Sequence, residues 1–173
     1  MRAADTAPKN QKQAKNNMRR PIKKRKVDLK DSVYQSELVG RLINYIMLDG
    51  KKNIARDIVY GAMKKIKDEL GVENPLEILE TAVKNASPNI EVRSRRVGGA
   101  NYQIPYEIRH DRRIQLALRT LVKVSRSGAG RPTQDKLAEE IIKAHQNEGA
   151  AIQKKEETHR MAEANKAFAH LAW

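Results

Sequence analysis

Four histidines, His110, His145, His159 and His170, are the residues of this chain best suited to hold a metal or relay a proton, and no two of them stand four residues apart. Two imidazoles need that spacing to share one helical face, so a zinc site is not expected. Cysteine is absent, which removes disulfides, thiolate ligands and cysteine nucleophiles together and fits a reducing compartment. Asp49-Gly50-Lys51-Lys52 lacks the glycine spacing and the preceding strand of a phosphate loop, and reads as a turn between helices. Ser127-Gly128 does not sit in the G-x-S-x-G form of a nucleophile elbow and reads as a connector. Glu139 with Glu140, and Glu156 with Glu157, lie beside lysines on helical faces, where solvated ion pairs are expected rather than an acid and base dyad. These residues predict no catalytic group, no cofactor and no metal.

The chemistry that remains is electrostatic. Lys and Arg number 35 against 21 Asp and Glu, a formal net charge of +14 with a sequence pI near 10.1. Such a surplus implies a polyanion, and nucleic acid is the expected partner, because each neutralised phosphate releases a condensed counterion. An anionic membrane is disfavoured by the short apolar runs and the lack of a lipidation motif or aromatic anchors. The densest run is Arg19, Arg20, Lys23, Lys24, Arg25 and Lys26, six basic residues in eight positions. With almost no apolar periodicity in residues 1–31, this arm is expected to be disordered in the free protein and to bind RNA; a merely solvated tail is the bland alternative. A second constellation places Arg93, Arg95 and Arg96 on one strand and Asn101 and Tyr102 on the next. Guanidinium forks match phosphate oxygens, and Tyr102 can stack on an unpaired base. Charges that protect an exposed sheet edge would give the same pattern, but here the run continues through Arg109, Arg112 and Arg113.

The elements that must position these side chains follow from periodicity. Aromatics are 4% of the residues, so an aliphatic helical core is expected. Ser36 is placed to cap a first helix carrying Leu38, Val39, Leu42, Ile43, Ile46 and Met47 at three and four residue spacing. Lys51 and Lys52 open a second, with Ile54, Ile58, Val59, Ala62, Ile66 and Leu70 inward and Gly71 as its stop. Asn74 caps a third, with Pro75 at its first position and Leu76, Leu79, Val83 and Ala86 inward until Pro88. Residues 90–108 then switch to strand character around Gly98-Gly99, predicting a hairpin that pairs Val97 with Ala100, Arg95 with Tyr102 and Arg93 with Ile104. Its base should pack on helices and its tip lean on a partner. A fourth helix begins near Asp111, with Ile114, Ala117, Leu118, Leu121 and Val122 inward and Arg112, Arg113, Arg119 and Lys123 outward. Thr133 caps a fifth, with Leu137, Ala138, Ile141 and Ala144 inward and Gly149 at its end. Residues 150–173 form a sixth with a thin stripe of Ile152, Met161, Ala162 and Ala169, expected to lie on a partner as much as on its own core.

The predicted class is therefore mainly α: a six-helix bundle-like body with a protruding two-stranded β-hairpin and a disordered basic N-terminal arm. Its expected division is an arm at 1–31, a helical core at 32–149 with the hairpin at 90–108, and a C-terminal helix at 150–173. No secretory or transit signal is seen near the N-terminus, and a cytoplasmic location is expected.

Three segments, MLDGKKNIARDIVYGA at 47–62, VRSRRVGGANYQIPYEIR at 92–109 and HRMAEANKAFAHLAW at 159–173, give the chain a resemblance to the small-subunit ribosomal protein S-seven family in its bacterial form. The resemblance covers residues 18–173; residues 1–17 precede it and inherit no role, and the longer C-terminal tail of some members has no counterpart. It implies a structural, non-enzymatic constituent of the small ribosomal subunit that binds the 3′ major domain of the rRNA and nucleates head assembly. It also implies neighbouring ribosomal proteins of the head and platform, with exit-site tRNA and mRNA close to the hairpin. On matching positions, Arg19, Arg20, Lys23, Lys24, Arg25, Lys26, Lys51, Lys52, Arg93, Arg95, Arg96, Arg109, Arg112 and Arg113 would face rRNA, with Tyr102 beside them. Val97, Gly98 and Gly99 would lie near tRNA and mRNA. The competing readings from the residues are a free-standing, nucleoid-like nucleic-acid-binding protein and an enzyme acting on RNA. Preference for duplex DNA would favour the first, and RNA turnover abolished by a single substitution the second.

Overall fold

The computed structural model describes residues 29–171. Within them the chain runs α1 (Glu37–Ile46), α2 (Lys52–Leu70), α3 (Pro75–Ala86), β1 (Ile90–Val97), β2 (Ala100–Glu107), α4 (His110–Ser127), α5 (Thr133–His145) and α6 (Ala150–Ala164). A 3-10 helix, Lys166–Leu171, follows. The mainly helical body with one antiparallel hairpin is the predicted class; the basic arm up to residue 28 lies outside the described residues.

Helix α5 fills the centre. It packs against α2, α3 and α4, and more lightly against α6. Its apolar stripe of Leu137, Ala138, Ile141 and Ala144 is buried as predicted. Around it lie Val39, Leu42 and Ile43 from α1, Val59, Ala62, Met63 and Ile66 from α2, Leu79, Ala82 and Val83 from α3, and Ala117, Leu118 and Leu121 from α4. Among the described residues no aromatic side chain is fully buried; Tyr34, Tyr45 and Tyr60 pack against the cluster from its margin. Two positions of the predicted α2 stripe are corrected. Ile54 is 56% exposed and Leu70 36%, and Ala55 and Met63 take their places inward. The helix has 3.6 residues per turn, so a stripe followed over five turns drifts, and the ends of a periodic pattern are where it leaves the core.

Local signals held where a backbone group had one obvious partner. Asn74 accepts from the Leu76 N–H at 3.2 Å with Pro75 in the first turn, and Gly71 closes α2 in the left-handed conformation. Others moved. Ser36 occupies the cap position of α1 without a side-chain capping bond, α4 starts at His110, and Thr133 lies inside α5, with Pro132 at its cap. Gly149 does not end α5, which stops at His145; at φ +93° it is the residue from which α6 begins. The reason is a buried carboxylate. Glu140 on α5 accepts the Ala151 N–H at 2.7 Å, satisfying one of the orphan donors of α6, and a Cβ on Gly149 would come within 2.9 Å of that same carboxylate.

The thin C-terminal stripe is partly corrected. Ala151, Ile152 and Ala162 are buried, but Met161 and Ala169 are exposed. Helix α6 packs on β1 and α4, and the 3-10 helix packs on β2. It is tied to its own chain by Lys155, which donates to the Asn85 carbonyl at 2.6 Å, and by His159, whose Nε2 accepts the Asn89 N–H at 3.0 Å.

Two outcomes are expected. Glu140→Ala should cost about 1–2 kcal/mol by stranding the Ala151 N–H, seen as a lower Tm with faster amide exchange confined at first to the start of α6. Asp31 is the second case. Burial alone would raise the pKa of this carboxyl. The Tyr60 hydroxyl and the Tyr34 and Val33 amides, at 2.7, 3.2 and 3.1 Å, outweigh burial and hold it below the ordinary carboxylate value. A depressed carboxyl stabilises the fold above its unfolded pKa and ceases to do so as pH falls through the folded one. Asp31→Asn should therefore lower Tm at neutral pH, with the difference narrowing as the pH falls below the ordinary carboxylate range.

Candidate nucleic-acid interface

The hairpin has the predicted register, with Val97 opposite Ala100, Arg95 opposite Tyr102 and Arg93 opposite Ile104, and Pro105 opposite Val92. Gly98 and Gly99 have φ of +57° and +90°, the sign that a two-residue primed turn requires at both positions. Strand alternation puts Arg93 and Arg95 on one face and Arg96 on the other. Tyr102 shares the face of Arg93 and Arg95, but its ring is half-buried against Phe168, with centroids 5.2 Å apart. A stacking role in the free protein is thus already occupied by an intramolecular partner. Ile104 and Ile108 are buried, so the hairpin base is anchored to the body as expected, while Gly98, Gly99 and Ala100 are exposed.

A side chain that sequence reasoning passed over organises the hairpin base. Glu91, whose side chain is 13% exposed, accepts from the Arg93 Nε at 2.6 Å and faces the Arg112 Nε at 3.6 Å. The Arg93 guanidinium also lies over the Tyr106 ring, 5.4 Å from its centroid. One carboxylate thereby joins the hairpin to the first turn of α4 and fixes two guanidinium groups side by side. Only Glu91's own alternation with Arg93 hinted at it.

From Arg112 the cations continue along α4. Arg119, Lys123 and Arg126 follow at intervals of seven, four and three residues, and all four are exposed. That spacing keeps them on one stripe, about 21 Å long at 1.5 Å per residue. At the far end Arg126 donates to the Ile46 carbonyl at 2.8 Å, the C-terminal end of α1. The turn that follows α1 presents Lys51 and Lys52, both exposed, after Asp49 and Gly50 at positive φ. Arg119 and Lys123 read as outward from the sequence, but their place in one ridge between hairpin and turn needed the three-dimensional packing.

Arg109 is exposed ahead of α4 and joins the ridge at the hairpin end. Arg113 does not. Its Nε donates to the Ile108 carbonyl at 2.9 Å, and it lines a separate cleft with Lys84, His110 and Lys155, so the outward reading of Arg113 is corrected. The stripe position was right for its neighbour and wrong by one residue for Arg113. Arg19, Arg20, Lys23, Lys24, Arg25 and Lys26 lie outside the described residues. Among the described residues no group of three or more His, Asp or Glu is placed to hold a metal, and no helix is long and apolar enough to cross a membrane.

Fold and site together define a class: a small helical scaffold that carries a band of exposed cations from the hairpin along α4 to the turn after α1. Residues 18–166 match the family model for ribosomal protein S7p/S5e. The chain is 57% identical over 152 residues to the small ribosomal subunit protein uS7 of Pelotomaculum thermopropionicum, covering 88% of this chain and 96% of that one. It is 54% identical to the uS7 of Lactococcus lactis subsp. cremoris, covering 84% and 93%. It is 53% identical over 156 residues to that of Thermotoga neapolitana, covering 90% and the whole of the relative. The chain belongs to the S7p/S5e family of ribosomal proteins and is a structural component of the small ribosomal subunit.

Gly98→Val should strain the tip without touching the core, because a β-branched residue at that φ is disfavoured by about 1–2 kcal/mol. Amide exchange should accelerate through residues 95–102 while the helical amides and Tm change little.

Proposed function

We propose that this protein binds the 3′ major domain of small-subunit rRNA and nucleates assembly of the subunit head. Its hairpin tip at Val97, Gly98 and Gly99 lies close to exit-site tRNA and the mRNA path. The observation that carries the reading is the ridge from Lys51 and Lys52 along Arg126, Lys123, Arg119 and Arg112 to Arg109 and the hairpin arginines, whose ends are fastened by the Ile46 carbonyl and Glu91. A stripe about 21 Å long on a rigid helix holds phosphate partners at fixed separations. It therefore favours an RNA whose folded backbone repeats those separations, and selects shape more than base sequence. The basic residues at 19–26 would add counterion release from a second segment of the same RNA. Ala100 and the two glycines give the tip little bulk, which suits close approach to another backbone.

Replacing Arg93, Arg95 and Arg96 together with Gln should weaken binding to a 3′ major domain transcript and reduce the salt slope by roughly two to three. The parent protein should retain that transcript at salt concentrations that strip it from an equally long unrelated RNA and from duplex DNA. An unchanged slope would remove the hairpin from the interface, and equal binding to all three polymers would leave only a general polyanion binder.

A further inference from the structure

The apolar stripes of α1 and α4 run on past the core and are left uncovered at one place. Leu38 continues the stripe of Leu42 and Ile43, and Ile114 that of Ala117, Leu118 and Leu121, yet both stay half-buried at the edge of the cluster. Between them, with Val83 of α3 as its floor, lies an open cleft of about 690 Å³. It runs into a second cleft, and Leu38, Glu80, His110 and Ile114 line both, so the two form one trench. Its ends differ in charge. Lys84, Arg113 and Lys155 line the first cleft, and Glu37, Arg41 and Asp111 the second. Arg41 is committed to Glu37, at 2.6 Å. At the basic end two cations are already held in place, Arg113 by the Ile108 carbonyl and Lys155 by the Asn85 carbonyl, and each has further N–H donors to offer.

The trench faces away from the cationic ridge. His110 and Ile114 each stand two residues from Arg112, roughly 160° around α4 at about 100° per residue. Its chemistry differs as well. Along the ridge cation follows cation, whereas here an apolar floor separates a basic end from an acidic one. An RNA strand brings a phosphate with every nucleotide and would meet Glu80 and Asp111 with like charge. Protein interfaces, by contrast, combine an apolar centre with a polar rim of both signs. We propose that this trench docks a segment of another protein, one that seats aliphatic side chains on Leu38, Val83 and Ile114 and brings a carboxylate to Lys84, Arg113 and Lys155. The complementary partner is an amphipathic segment with its acidic end toward Arg113 and its basic end toward Asp111. Helix α4 then serves RNA on one side and a protein neighbour on the other. The docking uses no side chain of the ridge, so it stands whether or not the ridge binds rRNA.

The test places a photo-reactive group in the trench of the assembled subunit. Glu80→p-benzoylphenylalanine and Lys84→p-benzoylphenylalanine both fall on exposed positions of α3, so neither threatens the core. Irradiated small subunits carrying either variant should give a cross-link to another protein. Mass spectrometry should locate it in a segment where aliphatic residues stand next to Asp, Glu or a C-terminal carboxylate. Adding Lys84→Glu to the Glu80 variant should lower the yield of that product roughly three- to tenfold, because a like charge then faces the docked carboxylate. In the otherwise unaltered protein, Lys84→Glu should leave the affinity for a 3′ major domain transcript and its salt slope unchanged. A fall in slope of about one would put Lys84 on a phosphate. That result, or a cross-link to rRNA, would overturn the proposal in favour of an RNA surface. A product within this chain or with a second copy of it would overturn it too, as would a protein segment without an acidic group, a yield indifferent to Lys84→Glu, or no product from either position.

Discussion

Everything else in this structure depends on burying the thirteen-residue α5 among α2, α3 and α4. Hydrophobic burial is non-directional and scales with apolar area, so a core could have been assembled from aromatic rings. Here it is aliphatic, and alanine recurs at the contact positions: Ala55, Ala62, Ala82, Ala86, Ala117, Ala138 and Ala144 are all buried. Small side chains let helix axes approach closely, and close-packed Leu, Ile and Val occupy defined rotamers. The consequence is a body with few soft degrees of freedom. Charges mounted on it keep their separations.

Those separations matter because a cation on a long flexible side chain loses rotamer freedom when it binds a phosphate. Several of the ridge residues have surrendered part of that freedom in advance. Arg126 is held by the Ile46 carbonyl, one of the orphan acceptors at the end of α1, where the helix dipole also favours a positive charge. Arg112 and Arg93 are held by Glu91. Elsewhere the same economy of partners closes the body: the Asn85 amide donates to the Ala144 and His145 carbonyls at the end of α5, and Lys155 then donates to the Asn85 carbonyl. Helix ends that would otherwise face water become the joints between elements.

The hairpin was legible in the sequence down to its register because two adjacent glycines, flanked by β-branched and polar alternation, admit one short turn, and strand period then fixes every pair. Asn74-Pro75 and Gly71 were legible for a similar reason, since each satisfies a local backbone requirement. What was not legible depends on tertiary partners. Gly149 looked like a helix stop, but a carboxylate eleven residues away in sequence, from Glu140 to Ala151, made it a start. Tyr102 looked available for stacking, but Phe168 covers it from the last segment of the described chain. Arg113 looked outward because its neighbour Arg112 is, and the Ile108 carbonyl drew it in. The ridge itself was half legible: the seven, four and three residue spacing marks a stripe, but no local pattern says that its two ends meet a hairpin and a lysine turn.

Glu91 illustrates what this surface trades. A carboxylate between two guanidinium groups reduces the net charge of that node, and a reduced charge weakens attraction for a polyanion at long range. Were affinity through net charge the only requirement, an uncharged residue at 91 would serve better. The carboxylate supplies orientation instead. It holds Arg93 and Arg112 side by side across the joint between hairpin and helix, and Tyr106 backs the Arg93 guanidinium from below. Two mutually repelling cations would otherwise splay apart on a base that Ile104 and Ile108 anchor. A folded RNA presents phosphates at fixed spacing, and matching that spacing discriminates among folded RNAs in a way that charge alone cannot, since every RNA carries the same charge per nucleotide. The rest of the +14 charge remains to supply the attraction. On this chain, orientation and net charge are thus carried by different residues: Arg93, Arg112 and Arg126 are held by protein acceptors, and the exposed Lys51, Lys52 and Lys123 add charge.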